Sequence, residues 1–387
     1  MKALALAAVA ALGACAAVDV APAVPSSPAM ASSSPAAAPE DAPLVSTLPE
    51  ADAAAPAPAP VADADPEVWL KGSTHVHAKP SGDSSEPIDD VMRWYADRGY
   101  DFIALTDHNR VSEIDGADTH GEVAVHTGKP LIVLSGIELT HNPSGCLPQG
   151  DPSRKCRIHV NVLGVTARPA GKLEWAERKS HQRVDMYQAA FAAAKALGGS
   201  LVQINHPQWY WGMTADLLAE LARRGALLVE VANAQFMTWS AGDKDHPSMD
   251  QLWDAVLAQG LTMWGVASDD AHSYRGNPRD KWPAGGGWVV VKARRDPRTI
   301  LAALAAGHFY ASTGVVLAHA EAQGGELVVE IAAGEPGAYT LDWIENGKTV
   351  AGGAGRAWRR AVPVRGYLRA IVTRDDGKRS WIEPARA

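Results

Sequence analysis

Cysteine is scarce. The 387 residues hold three, Cys15, Cys146 and Cys156, too few for an all-cysteine iron–sulfur cluster or a four-thiolate zinc site. An excess of positive charge is also missing: 36 Lys and Arg face 44 Asp and Glu, a formal net charge of −8. Residues 1–66 carry −6 of this, with Lys2 their one cation, and residues 67–387 only −2. The folded body therefore has no basic surplus to neutralise a long phosphate backbone, and a polymeric nucleic-acid partner is disfavoured. A mean hydropathy of −0.13 argues against a multi-span membrane protein. With 47% hydrophobic and 21% charged residues, the chain as a whole is neither disordered nor collagen-like. No Gly-X-Ser-X-Gly elbow occurs, so the nucleophilic serine that this motif would carry is not indicated. The length suits one domain of roughly 200–250 residues plus a smaller one.

What is present begins with an address. Met1-Lys2 precedes an apolar run, Ala3 to Ala14, that is too short to span a bilayer and ends in Leu12-Gly13-Ala14-Cys15. That string resembles a bacterial lipobox, which implies a signal over residues 1–15 and a lipid on Cys15. Ala16 after it implies the outer membrane, facing the periplasm or the cell surface. The alternative is an ordinary cleaved signal. Residues 16–66 contain 18 Ala and 11 Pro and no Lys or Arg. Such a segment buries no core and is expected to be a disordered tether, roughly 150 Å long as polyproline II and about 40 Å as a coil. In an exported protein Cys146 and Cys156 form a candidate disulfide, with two unpaired thiols as the alternative.

From Trp69 onward, short β-rich runs alternate with helical stretches. Strands are expected at Val68–Thr74, Phe102–Thr106, Leu131–Thr140, Ile158–Val165, Leu201–Asn205, Leu227–Ala232, Thr262–Ala267 and Trp288–Ala293. Helices are expected at Pro87–Arg98, His181–Leu197, Thr214–Arg224, Ser248–Gln259 and Pro297–Ala306, with Pro87 and Pro297 in first turns and Gly99, Gly198, Gly225, Gly260 and Gly307 at stops. Repeated β-then-α order predicts an α/β fold with a mostly parallel sheet, closed as a barrel. After Val315 the helices vanish, and runs such as Leu327–Ala332, Ala338–Ile344, Arg359–Val364 and Leu368–Thr373 predict a small all-β sandwich. The expected domains are therefore 67–314 and 315–387.

Ligand-type residues fall at strand ends. His75 and His77 follow the first strand, Asp107 and His108 the second, His206 the run Leu201–Asn205, and Asp270 and His272 the run Thr262–Ala267. Glu138 lies near the end of its strand. These are the carboxyl ends, where barrels gather catalytic groups. His159, at the start of Ile158–Val165, is out of place in this scheme. So many imidazoles and carboxylates on one face would be costly to bury without metal ions to neutralise them. His120, His126, His141, His181, His246, His308 and His319 lack such placement and are assigned to the surface or to packing.

In order, His75-Val76-His77, Thr106-Asp107-His108-Asn109, Gly136-Ile137-Glu138, His159-Val160-Asn161-Val162-Leu163-Gly164, Asn205-His206-Pro207 and Ser268-Asp269-Asp270-Ala271-His272 resemble the PHP (polymerase and histidinol phosphatase) superfamily over residues 68–312. The nearest-looking branch is the carbaryl-hydrolase-like metallohydrolases. The resemblance implies a distorted (β/α)7 barrel with two or three divalent ions. By it, His75, His77, Glu138 and Asp270 hold one ion, and Glu138 bridges to a second on His159 and His206. A third uses His108, His272 and Asp83, which stands six residues after His77 where the family pattern has five. Glu138, Asp270 and His206 are the expected catalytic residues, and Asp107 an orienter of neighbouring ligands.

Imidazole and carboxylate ligands suit zinc, manganese or iron(II). Such ions draw the pKa of water towards neutrality, so attack by a metal-bridging hydroxide on an ester phosphorus or carbonyl carbon is expected. Arg275 is a candidate partner for a substrate phosphate or carboxylate, and Trp209, Tyr210 and Trp211 a candidate wall for a flat group. The leading expectation is a phosphoesterase acting on small phosphomonoesters or nucleotides. A carboxyl-ester, carbamate or amide hydrolase with the same centre is the second, and a non-catalytic envelope lipoprotein binding glycans or partners through its β tail is a third.

Overall fold

The apolar runs of this chain are buried on both faces, as strands covered by helices must be: neither Phe102–Leu105 nor Ile158–Leu163 contains an exposed residue. The computed structural model describes residues 66–113, 123–125, 130–176, 180–276 and 281–387. The signal with Cys15, and the tether up to residue 65, lie outside the described residues. All described residues belong to one compact unit, Ala62–Ala387.

Ten strands alternate with helices: β1 (Val68–Val76), β2 (Phe102–Leu105), β3 (Val123–Val125), β4 (Pro130–His141), β5 (Ile158–Leu163), β6 (Leu201–Ile204), β7 (Leu228–Asn233), β8 (Trp264–Ser268), β9 (Trp288–Ala293) and β10 (Phe309–Ser312). The helices are α1 (Ile88–Asp97), α2 (Arg183–Ala196), α3 (Ala215–Arg223), the single turn α4 (Met237–Ser240), α5 (Met249–Leu257) and α6 (Pro297–Ala306). Seven strands follow without helices: β11 (Leu317–Gln323), β12 (Glu326–Ile331), β13 (Tyr339–Glu345), β14 (Lys348–Ala354), β15 (Ala357–Ala361), β16 (Leu368–Arg374) and β17 (Arg379–Ala385).

Helix ends follow local chemistry. Asp296 caps α6 by accepting from the N–H groups of Arg298 and Thr299, Pro297 opens it, and Gly307 closes it at φ 74°. Ser248 and Gln251 form a reciprocal capping box on α5. Pro87 sits at the cap position of α1 and not inside its first turn.

One mixed sheet runs β14-β13-β16-β17-β10-β9-β1-β2-β4-β5-β6-β7-β8, with β3 paired to β4. The stretch β1, β2, β4 to β8 has the order expected of barrel staves. No ladder joins β8 back to β1 among the described residues, however. They meet through one bridge, Val76 with Ala271, supported by the His77 N–H donating to Ala271 O at 3.1 Å. A closed barrel is thus not what the hydrogen bonding shows.

Strand direction matters more for the site. β1, β2 and β4 are parallel neighbours, and so are β6, β7 and β8, but β5 is antiparallel to both β4 and β6. The beginning of β5 therefore lies with the ends of its neighbours, opposite Thr140 of β4. That removes the misfit of His159. Gly136, two residues before Glu138, lets the strands close up there: a Cβ on it would stand 2.7 Å from Leu105 O and 3.2 Å from Val162 O.

The boundary expected at 314/315 is not a boundary in the sheet. β17 pairs with β10 (Tyr310 opposite Ile382), and β16, β13 and β14 extend the same sheet outward. Only β11, β12 and β15 form a separate antiparallel sheet. The two sheets share a core of Val290, Tyr310, Leu317, Val329, Leu341, Leu368 and Ile382. The sandwich therefore exists, but one of its layers is the edge of the main sheet.

Candidate metal centre

Period-two geometry turns His75 and His77 to one side at the end of β1, and both are fully buried. Glu138 reaches the same place from β4, His159 from the start of β5, His206 from just after β6, and Asp270 and His272 from just after β8. His206 and Asp270 hold left-handed backbone conformations, φ 25° and 47°. Non-glycine residues rarely adopt these, and they cluster at functional sites.

The side chains converge into three overlapping groups whose ligand atoms lie within 4.8 Å of one another: His75, His77 and Glu138; Glu138, His159 and His206; and His77, Asp83, His108 and His272. Asp270 Oδ1 is 3.2 Å from both His75 Nε2 and His77 Nε2, while Glu138 Oε1 is 3.5 Å from His75 Nε2 and 3.7 Å from His206 Nε2. Asp83 Oδ2 lies 3.0 Å from His108 Nε2 and 3.2 Å from His272 Nε2. His159 Nδ1 is 3.0 Å from Glu138 Oε1, and its Nε2 meets Asn142 Oδ1 at 2.8 Å.

Close approach is not the same as hydrogen bonding. His75 Nε2, His77 Nε2, His206 Nδ1, His272 Nε2 and Glu138 Oε2 are buried with no hydrogen-bond partner. Leaving one such atom unpaired costs on the order of 1–3 kcal/mol. Atoms that stand near one another, yet are aligned with none, are what a set of metal ligands looks like. The residues present therefore fit divalent ions held by imidazole and carboxylate.

Charge points the same way. Burial works against the Glu138 carboxylate, but His108, His159 and His75 hold it well below its ordinary range. Burial also opposes a charge on His108, yet Glu138 and Asp83 push it up to about 10. His77 is lowered to about 3 by burial and by the charges of His272 and His108. His159 falls to about 4, chiefly by burial. Within the protein alone, protons on imidazoles offset the carboxylates. Divalent cations would do so more completely.

A further layer fixes the ligands. Glu230, buried on β7 and not singled out from the sequence, accepts from His75 Nδ1 at 2.7 Å, from Ser268 Oγ at 2.5 Å and from the His206 N–H at 2.6 Å. It orients two ligands at once and leaves His75 Nε2 facing inward. Its signal was an acid inside the apolar strand Leu227–Ala232, the same signal that Glu138 gave. Asn205 Nδ2 donates to Glu138 Oε1 at 2.8 Å, and Thr140 Oγ1 is 2.7 Å from His108 Nδ1. Asp107 meets the ligand residues through backbone: its carbonyl accepts from the Glu138 N–H at 3.2 Å. It accepts from the N–H of Ala78, next to His77, at 2.7 Å and from Ser112 Oγ. Asp269 is held by Ser73, Tyr95 and the Gly285 N–H.

The cavity over the ligands is about 60 Å³ and is walled by Trp209, Phe236 and Trp282, the liquid volume of roughly two waters. Trp209 stands edge-on to His206 and His159, with ring centroids 5.2 and 5.8 Å apart. Tyr210 stacks on Trp209 at 5.3 Å, one step outward, and Trp211 stacks on His246. Arg275 is not on this wall. Its Nε pairs with Glu86 Oε1 at 2.8 Å, and the side chain is 69% exposed. Cys146 and Cys156 are joined as a disulfide.

No family model and no curated protein matches the chain. Seven solved chains match it. One is an amidohydrolase from Chromobacterium violaceum, with bound sulfate and no metal, at 14% identity and a TM-score of 0.34, covering 54% of this chain and 89% of that one.

Proposed function

We propose that the protein is a metal-dependent hydrolase of PHP type, acting on small phosphomonoesters or nucleotides. The observation that carries this reading is the set of three ligand groups sharing Glu138 and His77, with His75 Nε2, His77 Nε2, His272 Nε2 and Glu138 Oε2 buried without hydrogen bonds. In this reading His75, His77, Glu138 and Asp270 hold one ion, Glu138, His159 and His206 a second, and Asp83, His108 and His272 a third. Bound zinc, manganese or iron(II) supplies Lewis acidity and lowers the pKa of water.

The chain's own residues do the rest. Glu230 and Asn205 keep His75 and Glu138 in place, and Asp107 ties down the backbone behind His77. Asp270 Oδ1 is engaged by His75 and His77. Its Oδ2 takes a 3.3 Å bond from Asn233 Nδ2 and stands 3.9 Å from His206 Nε2, a position from which it would accept a hydrogen bond from the attacking water and orient it. The aromatic wall excludes bulk water above the ligands.

That wall also favours a second reading. Trp209, Phe236 and Trp282 suit a flat uncharged group, as in an aryl ester or carbamate. The full chain, loaded with zinc or manganese, is to be given nitrophenyl phosphate and naphthyl acetate or carbamate, with Glu138→Ala as the blank. Phosphate turnover that is lost in the blank supports the first reading, and carbonyl turnover alone supports the second. Equal rates in both proteins contradict both. Export as a lipoprotein anchored at Cys15 in the outer membrane is proposed as well; membrane fractionation of Cys15→Ser tests it, and continued lipid association contradicts it.

A further inference from the structure

Trp209 lines the cavity over the ligands. A cation lies against its ring. Arg157 makes no ion pair among the described residues, and its Nε is buried without a hydrogen-bond partner. Its guanidinium lies over the Trp209 ring at 4.4 Å and the Tyr210 ring at 5.4 Å. Together with Lys155 it also acts on the Tyr210 hydroxyl. Lys155 Nζ is 3.3 Å from that oxygen.

Position gives this charge a purpose. Arg157 stands immediately before β5, two residues ahead of His159. Trp209 bridges them, contacting His159 with its edge while carrying Arg157 on its face. The neighbouring Cys156 is fixed to Cys146, which anchors the backbone from which Arg157 projects. Arg275, the arginine that the sequence favoured, is already spent on Glu86.

We infer that Arg157 is the specificity residue of this site, binding an anionic phosphate or carboxylate group of a substrate whose flat portion rests against Trp209. The inference rests on the hydrolase reading for the identity of the site, but concerns a residue that holds no metal. A guanidinium is suited to such groups because it donates two parallel N–H bonds to one anion. Stacking on aromatic rings holds the fork in place, and its Nε is left without a hydrogen-bond partner.

The test is calorimetric titration of the zinc-loaded full chain with phenylphosphonate, benzoate and uncharged benzamide, in the wild type, Arg157→Gln and Arg157→Lys. Zinc content and melting temperature are measured on each protein. Arg157→Gln is expected to weaken the preferred anion about tenfold or more, with benzamide, zinc content and melting temperature unchanged, and Arg157→Lys to recover part of the loss. Whichever anion binds tighter to the wild type identifies phosphate or carboxylate as the group recognised. Equal weakening of all three ligands, unchanged anion affinity in Arg157→Gln, or no anion binding by the wild type overturns the inference. Failure of the wild type to hold zinc strikes the hydrolase reading instead, so the two failures are told apart.

Discussion

Two buried clusters of charge in this molecule invite comparison. Under α5, Arg369 of β16 is 1% exposed and grips Asp254 with Nε and Nη2, both at 2.7 Å, while Asp250 lies 3.3 Å away. Tyr367 donates to Asp254 at 2.7 Å and Trp381 to Asp250 at 3.1 Å. Most donors and acceptors of this cluster are matched, though Arg369 Nη1 and the nearby Glu383 Oε1 are buried without partners. At the strand ends, six imidazoles crowd around Glu138, Asp270 and Asp83, and His75 Nε2, His77 Nε2, His272 Nε2 and Glu138 Oε2 are left over. The first cluster pairs its cation with carboxylates directly. The second turns its unpaired atoms towards one another, as a set of ligands would, and that is the difference between a structural ion pair and a candidate binding site.

The comparison can be broken at either cluster. The largest effect is expected at the ligands: Glu138→Ala or His206→Ala should lower turnover by on the order of a thousandfold or more while circular dichroism shows the fold retained. Full activity in either variant would mean that the site is misplaced. Next comes the matched cluster. Asp254→Ala takes the bidentate partner from buried Arg369 and leaves it with Asp250 alone, and should cost about 3 kcal/mol in denaturant unfolding. Zinc content should not change, since no group there belongs to the ligand groups; a loss of zinc would show the clusters to be coupled.

Two smaller effects sharpen the contrast. Glu230→Gln removes the carboxylate behind His75 and should weaken zinc about 10–100-fold in chelator competition. Wild-type affinity would reduce Glu230 to a packing group. Arg275→Ala takes the exposed partner from the buried Glu86 carboxylate and should cost about 1–2 kcal/mol. An unchanged melting temperature would show that Glu86 does not need this partner.

Much of the candidate site was legible because ligand-type residues cluster locally in the chain. His75-Val76-His77 and Asp270-Ala271-His272 put pairs of ligands at one strand end, and Glu138 stood out as an acid in an apolar run. Glu230 gave the same signal but had no histidine beside it in sequence, and its partners His75 and His206 come from other strands. Arg157, Phe236 and Trp282 were not legible, because rim residues meet only when loops from distant segments fold together. Periodicity is also blind to strand direction, so His159 looked misplaced until β5 proved antiparallel. Alternation in the tail located β12, β13, β15 and β16 but missed β11, β14 and β17, and so also the pairing of β17 with β10. Strand order likewise carried no information on whether β8 closes back on β1.

The central claim is that the strand-end cluster is incomplete without metal. The most direct measurement is the divalent-metal content of the full chain after loading and dialysis, beside Glu138→Ala. About two to three equivalents per chain in the wild type, with at least one lost in the variant, is the predicted result. Less than one equivalent in the wild type, or the same content in both proteins, would contradict it.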